Sequence, residues 1–134
     1  MSDTFFGFYN AENAPDRIRS LYMLLKRAWC ASTCAPRLRG RWTPEQPSIG
    51  QCSVTAFAVQ DLLGGEVFGI PLEDGGVHCF NVIGGNIYDL TSEQFDSPLE
   101  YTLGHPQSRS VHFEKAEKYQ RYILLKERLK ELTL

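Results

Sequence analysis

GQCSVTAFAVQDLLGG, residues 50–65, packs Val54, Ala56, Phe57, Ala58, Val59, Leu62 and Leu63 between two glycine-bearing ends. Apolar residues at this density, closed by Gly64-Gly65, predict a buried helix over residues 52–63 with a glycine C-terminal cap. Gly50 and Gln51 turn the chain tightly into it, so Cys52 falls in the first turn. There the unpaired backbone N–H groups and the positive end of the helix dipole favour a thiolate. The same N–H groups would receive an oxyanion once that thiolate attacked a carbonyl. A buried structural thiol is the competing reading, because free cysteine is among the most buried residue types. Cys52 alone does not separate the two.

The partners follow in VHCFNVIGGNIYDL, residues 77–90. Two loosely alternating runs flank Gly84-Gly85, a strong hairpin signal. A two-residue loop sets Ile83 against Asn86 and His78 against Thr91. Asp89 then shares the face of His78, one diagonal step away and within hydrogen-bond reach. A three-residue loop would slip the register and send them to opposite faces. Taken singly, His78 reads as a strand histidine with a satisfied ring and Asp89 as a strand-end carboxylate on backbone amides. Together with a helix-starting cysteine they supply a nucleophile, its base and the group that orients the base. Cys79 and Asn81 should point away from His78, and Asn81 reads as structural.

Around this centre the chain of 134 residues fits one domain, residues 1–134, large enough to bury a core. Ile18, Leu21, Tyr22, Leu25, Ala28 and Trp29 recur at helical spacing after Pro15, predicting a first helix. Thr43-Pro44-Glu45-Gln46 has the form of a capping box and predicts one short turn. Residues 66–72 read as a strand. Residues 119–132 read as a last helix, amphipathic through Tyr119, Tyr122, Ile123, Leu129 and Leu132. Residues 1–12 hold Phe5, Phe6, Phe8 and Tyr9, an aromatic arm that covers the domain or a neighbouring subunit. Residues 98–109, with Gly104, Pro106 and Ser108, read as a mobile loop.

The balance of 43% hydrophobic and 22% charged residues is that of an ordinary globule. No apolar run reaches membrane-spanning length and no basic-then-apolar leader opens the chain, so a cytoplasmic location with no membrane partner is expected. Cys30, Cys34, Cys52 and Cys79 form no dense disulfide framework. Cys30 and Cys34 have loose zinc-ligand spacing, with His78, His105 or His112 to complete a set, but no second cysteine pair exists. No metal or other cofactor is expected. From Trp42 to Ser108 there is no Lys or Arg, while residues 17–41 hold basic residues and no acid. The favoured reading is that the two stretches pair across the fold; the sharper one is an acidic approach for cationic or amine-bearing substrates. Arg37, Arg41 and Arg39 lack the aromatic or motif context of a nucleic-acid surface, so no nucleic-acid partner is expected.

WTPEQPSIGQCSVTAFAVQDLLGGEV, GGVHCFNV, IYDLTSEQF and RYILLKERL together resemble the bacterial YunG-like family of small proteins, from about Trp29 to the C-terminus. The order Cys, His, Asp also resembles the wider papain-like fold, with its transglutaminase-like and NlpC-type amidases. That resemblance implies an α+β domain in which the nucleophile helix packs on a small antiparallel sheet, with N- and C-terminal helices. It implies Cys52 as nucleophile, His78 as base and Asp89 as orienter. Papain-like peptidases also place a glutamine ahead of the cysteine as oxyanion donor. Gln46 has the peptidase-like spacing and Gln51 belongs to the Gly-Gln-Cys element; both stay open.

The resulting expectation is thiol-based acyl transfer or amide hydrolysis, of the peptidase, deamidase or transglutaminase type, on a peptide, amide or thioester. The competitors are a non-catalytic binding domain on the same fold and, behind it, a structural zinc protein. No oligomeric state follows from the residues.

Overall fold

The computed structural model describes residues 7–73, 75–97 and 99–133. Its elements run α1 (Asp16–Ala28), α2 (Cys52–Leu63), β1 (Glu66–Pro71), β2 (Val77–Ile83), β3 (Asn86–Tyr88), β4 (His105–Pro106), α3 (Arg109–His112) and α4 (Ala116–Leu132). The strands form one antiparallel sheet in the order β3-β2-β1-β4. The architecture is therefore α+β with a small antiparallel sheet.

α2 is the axis of the molecule. Every residue from Ser53 to Val59 is buried, because β2 covers one side and α4 and α1 cover others. Each of its fully buried large apolar side chains contributes about 1.5–3 kcal/mol. α1 buries Ile18, Leu21, Tyr22, Leu25 and Ala28 along one stripe, and the Trp29 indole N–H ties its end to Thr55 Oγ1 at 2.8 Å. α4 begins at Ala116, earlier than its apolar pattern suggests, and buries Tyr122, Leu125 and Leu129. Tyr119, expected on that stripe, is exposed.

The hairpin has the expected two-residue register: Ile83 pairs Asn86, Val82 pairs Ile87 and Asn81 pairs Tyr88. Gly84 and Gly85 both have positive φ, 59° and 81°, as a tight hairpin turn requires. On β2, Cys79 and Ile83 enter the main core beneath α2, whereas Phe80 joins Ile70 and Tyr101 in a second cluster on the opposite face. Asn81 faces α2, donating to Ala56 O at 2.9 Å.

Two stretches hold more structure than their composition suggests. Phe8 and Ala11 are core residues, while residues 1–6, with Phe5 and Phe6, lie outside the described residues. Within 99–109, a 3-10 turn at Tyr101–Leu103 and the strand β4 pair this segment with β1. Asp61, an acid of the stretch lacking Lys and Arg, pairs with Arg109 and Lys126 of the C-terminal part, at 2.6 and 2.8 Å.

Candidate functional site

Cys52 is the first residue of α2. The chain reaches it through Gly50, whose φ of 72° lies in the left-handed region. The 3-10 segment Pro36–Arg41 sits against this approach: Ala35 N–H donates to Gly50 O at 2.9 Å, and a Cβ on Gly50 would overlap Cys34 Sγ. As the opening residue of a helix, Cys52 presents a backbone N–H that no helical carbonyl accepts.

The β2 strand brings the imidazole. His78 is fully buried, and its Nε2 lies 2.6 Å from Asp89 Oδ2. The hairpin register makes this contact possible, and Asp89 follows β3 directly. The Asp89 carboxylate is also fully buried and accepts three further bonds: Tyr101 O–H at 2.7 Å on Oδ2, and Thr91 N–H and Oγ1 at 3.3 and 3.4 Å on Oδ1. Phe95 meets the imidazole edge-on, with centroids 4.7 Å apart and planes at 90°. With Nε2 held by Asp89, Nδ1 makes no hydrogen bond among the described residues and is the ring nitrogen left for the sulfur. The thiol itself donates to Val77 O at 3.6 Å.

The electrostatics follow from these contacts. Desolvation pushes the Cys52 thiol up, but the hydrogen bond and charge of His78 and the Cys79 backbone N–H outweigh it. The thiol therefore lies below its ordinary value, with Asp89 opposing. Desolvation alone would lower His78, yet bonding to Asp89 and Cys52 raises it to about 10. Both shifts favour a thiolate facing an imidazolium at neutral pH. Cys79, on the other face of the strand, is pushed well above the ordinary thiol range by its burial.

Cys52 and His78 open on a cleft of about 670 Å³ bordered by residues 35–38, α4 and the turn before β2. Gln46 is exposed on the 43–46 turn. Gln51 is fully buried, its Nε2 committed to Cys30 O at 3.1 Å, and neither glutamine borders the cleft among the described residues. Gln94 and Gln107 do border it. The charged groups on the cleft wall are Arg37, Arg41, Lys115, Lys118, Arg121 and one described acid, Glu117. Among the described residues, no acid of the stretch 42–108 lines the cleft.

Tyr101, Thr91 and Phe95 escaped the reading of the sequence. Thr91, two residues past Asp89, carries a local signal, since a short hydroxyl side chain there can close on a carboxylate. Tyr101 and Phe95 carry none, because their roles come from how the chain folds back. Among the described residues no group of three or more His, Cys, Asp or Glu is arranged to hold a metal ion, and no helix is long and apolar enough to cross a membrane.

A family model described as YunG protein matches residues 17–133. The chain is similar to "Uncharacterized protein YunG" of Bacillus subtilis (strain 168), 42% identical over 91 residues, which is 67% of this chain and 72% of that relative. No solved structure matches it.

Proposed function

The chain belongs to the YunG family, and for this member we propose thiol-dependent acyl transfer or amide hydrolysis on a papain-like domain, with Cys52 as nucleophile. The observation that carries it is His78: Nε2 is bound to Asp89 at 2.6 Å, while the buried Nδ1 makes no hydrogen bond among the described residues and is left for the sulfur. A helix-borne cysteine followed by His and Asp on an antiparallel sheet supports the papain-like assignment.

In this reading the Cys52 thiolate attacks the carbonyl carbon of an amide or thioester, forming the S–C bond and moving the π electrons onto oxygen. The Cys52 backbone N–H at the start of α2 stabilises that oxyanion. As the oxyanion collapses, the bond to the leaving group breaks and His78 gives that group its proton. Asp89 keeps the ring oriented with Nδ1 towards sulfur. The acyl-enzyme then passes to water or to an amine, His78 taking the proton of the acceptor. A cytoplasmic setting suits a reaction that needs a reduced thiol, and the four cysteines are free.

The test is alkylation by dilute iodoacetamide near neutral pH, read by mass spectrometry at each cysteine. Cys52 should react far faster than Cys30, which is likewise partly exposed. His78→Ala should slow Cys52 by about tenfold or more, one unit of thiol pKa being a factor of ten in thiolate. Equal rates at Cys52 and Cys30 would leave only a binding domain on the same fold.

A further inference from the structure

Resting on that reading, we propose that Gln94 is a positioning residue of the reaction: its carboxamide ties the approach to Cys52 to the turn that carries Asp89, and so sets the sulfur against the imidazole. Gln94 Oε1 accepts the Gly50 N–H, two residues before Cys52, at 3.2 Å. Gln94 Nε2–H donates to Thr91 O, two residues after Asp89, at 3.1 Å. One neutral side chain thus spans the two stretches of backbone that deliver the proposed nucleophile and the carboxylate.

The same short stretch touches the whole group. Gln94 closes the 3-10 turn Ser92–Gln94, and the residues on either side of that turn reach the other two members. Thr91 donates its N–H and Oγ1–H to Asp89 Oδ1, and Phe95 stands edge-on against the His78 ring. Cys52 and His78 come from different elements, α2 and β2, which meet mainly through apolar contacts. Apolar contact is non-directional, whereas a hydrogen bond fixes both distance and angle. Gly50 gives such a tie leverage over the sulfur. The one residue between it and Cys52 is Gln51, fully buried with its Nε2 bound to Cys30 O, so the link is short and stiff. Gly50 and Gln94 both border the cleft. Water entering there can bond the Gly50 N–H once the carboxamide is gone, so stability should change little. Water cannot hold Gly50 at a set distance from Thr91. The side chain is therefore worth more to geometry than to folding, and about 1 Å of misplacement at a reacting centre costs about a hundredfold in rate.

Two neutral replacements test this. Gln94→Met keeps the length of the side chain and loses both hydrogen bonds, and Gln94→Ala removes the side chain. Among the described residues the groups acting on the Cys52 charge are His78, Cys79, Asp89 and Lys118. Neither replacement alters any of them, so a moved titration reports position. The readout is the Cys52 Cβ resonance of isotope-labelled protein followed against pH. Its midpoint should rise by about one pH unit in both variants. At a pH below both midpoints the iodoacetamide rate should fall about threefold, since tenfold less thiolate is partly offset by a more nucleophilic one. A lowered wild-type midpoint that neither variant moves overturns the inference and leaves the reaction standing. A shift in one folded variant but not in the other overturns it too, because the two share only the lost hydrogen bonds. If Gln94→Ala fails to fold, Gln94→Met decides; loss of the folded state in both makes Gln94 a stabilising residue and overturns the inference. A wild-type thiol that titrates at its ordinary value overturns the reaction and the inference together.

Discussion

Tyr101 O–H and His78 Nε2 bind the same oxygen of Asp89, Oδ2, at 2.7 and 2.6 Å. Two donors thus share one oxygen of a fully buried carboxylate, while Thr91 occupies Oδ1. Tyr101 belongs to the second apolar cluster with Ile70 and Phe80, so the Asp89 carboxylate is itself positioned by the face of the sheet away from α2.

Tyr101→Phe keeps the ring in that cluster and removes one donor. The full charge of Oδ2 then faces the imidazole, and the His78 Nε2–H proton resonance should move downfield. Stability should fall by about 1–1.5 kcal/mol, the usual cost of one such hydrogen bond. A purely structural tyrosine would lower the denaturation midpoint and leave the resonance where it was. An unmoved resonance therefore refutes a positioning role.

The Cys52–His78 pair gives stability a pH dependence that neither residue has alone. His78 is raised from 6.5 to about 10, so its contribution is full below pH 6.5 and is lost as pH rises to about 10. Cys52 is lowered from 9.0, so its contribution is full above pH 9.0 and is lost as pH falls towards the folded value. Where the range between the folded Cys52 value and 9.0 overlaps the His78 range from 6.5 to about 10, the two slopes have opposite signs and offset one another. The pair should leave the urea midpoint flat across that window in the wild type, with a decline beyond it. In Cys52→Ala only the His78 slope remains, and the midpoint should fall steadily from pH 6.5 upward. A midpoint that rises with pH in that variant would contradict a charged His78.

Gly50 lies two residues before Cys52, the proposed nucleophile. Its φ of 72° costs a side-chain-bearing residue about 1–2 kcal/mol. A Cβ there would also overlap Cys34 Sγ and lie 3.0 Å from Ala35 N. Gly50→Ala should destabilise by about 2 kcal/mol or more and should slow Cys52 alkylation, since relief of the overlap moves Cys52 or the 35–38 segment. Guanidinium denaturation and the iodoacetamide rate check both parts; unchanged values in each would remove Gly50 from the site.

What the residues disclosed in linear order was whatever depends on neighbours. The glycine-bounded apolar run 52–63 gave α2 with Cys52 at its start, and the Gly84-Gly85 turn gave the register that joins His78 to Asp89. What stayed hidden depends on convergence of distant segments. Arg37 and Lys118 are far apart in sequence and border the same cleft. Glutamine spacing pointed to Gln46 and Gln51, but a spacing carries no information about which way a carboxamide turns. The Gln51 side chain turns inward to Cys30 O. Charge segregation along the chain was plain to read, whereas the surface that each block faces was decided by tertiary packing.

The helix that bears the sulfur is enclosed by sheet on one side and helices on others, and tilting it would empty the core. Its reactive end is thus a stationary anvil. Any give that an incoming molecule demands has to come from the outer pieces that border the cleft, among them the short 3-10 stretch and the first turns of α4.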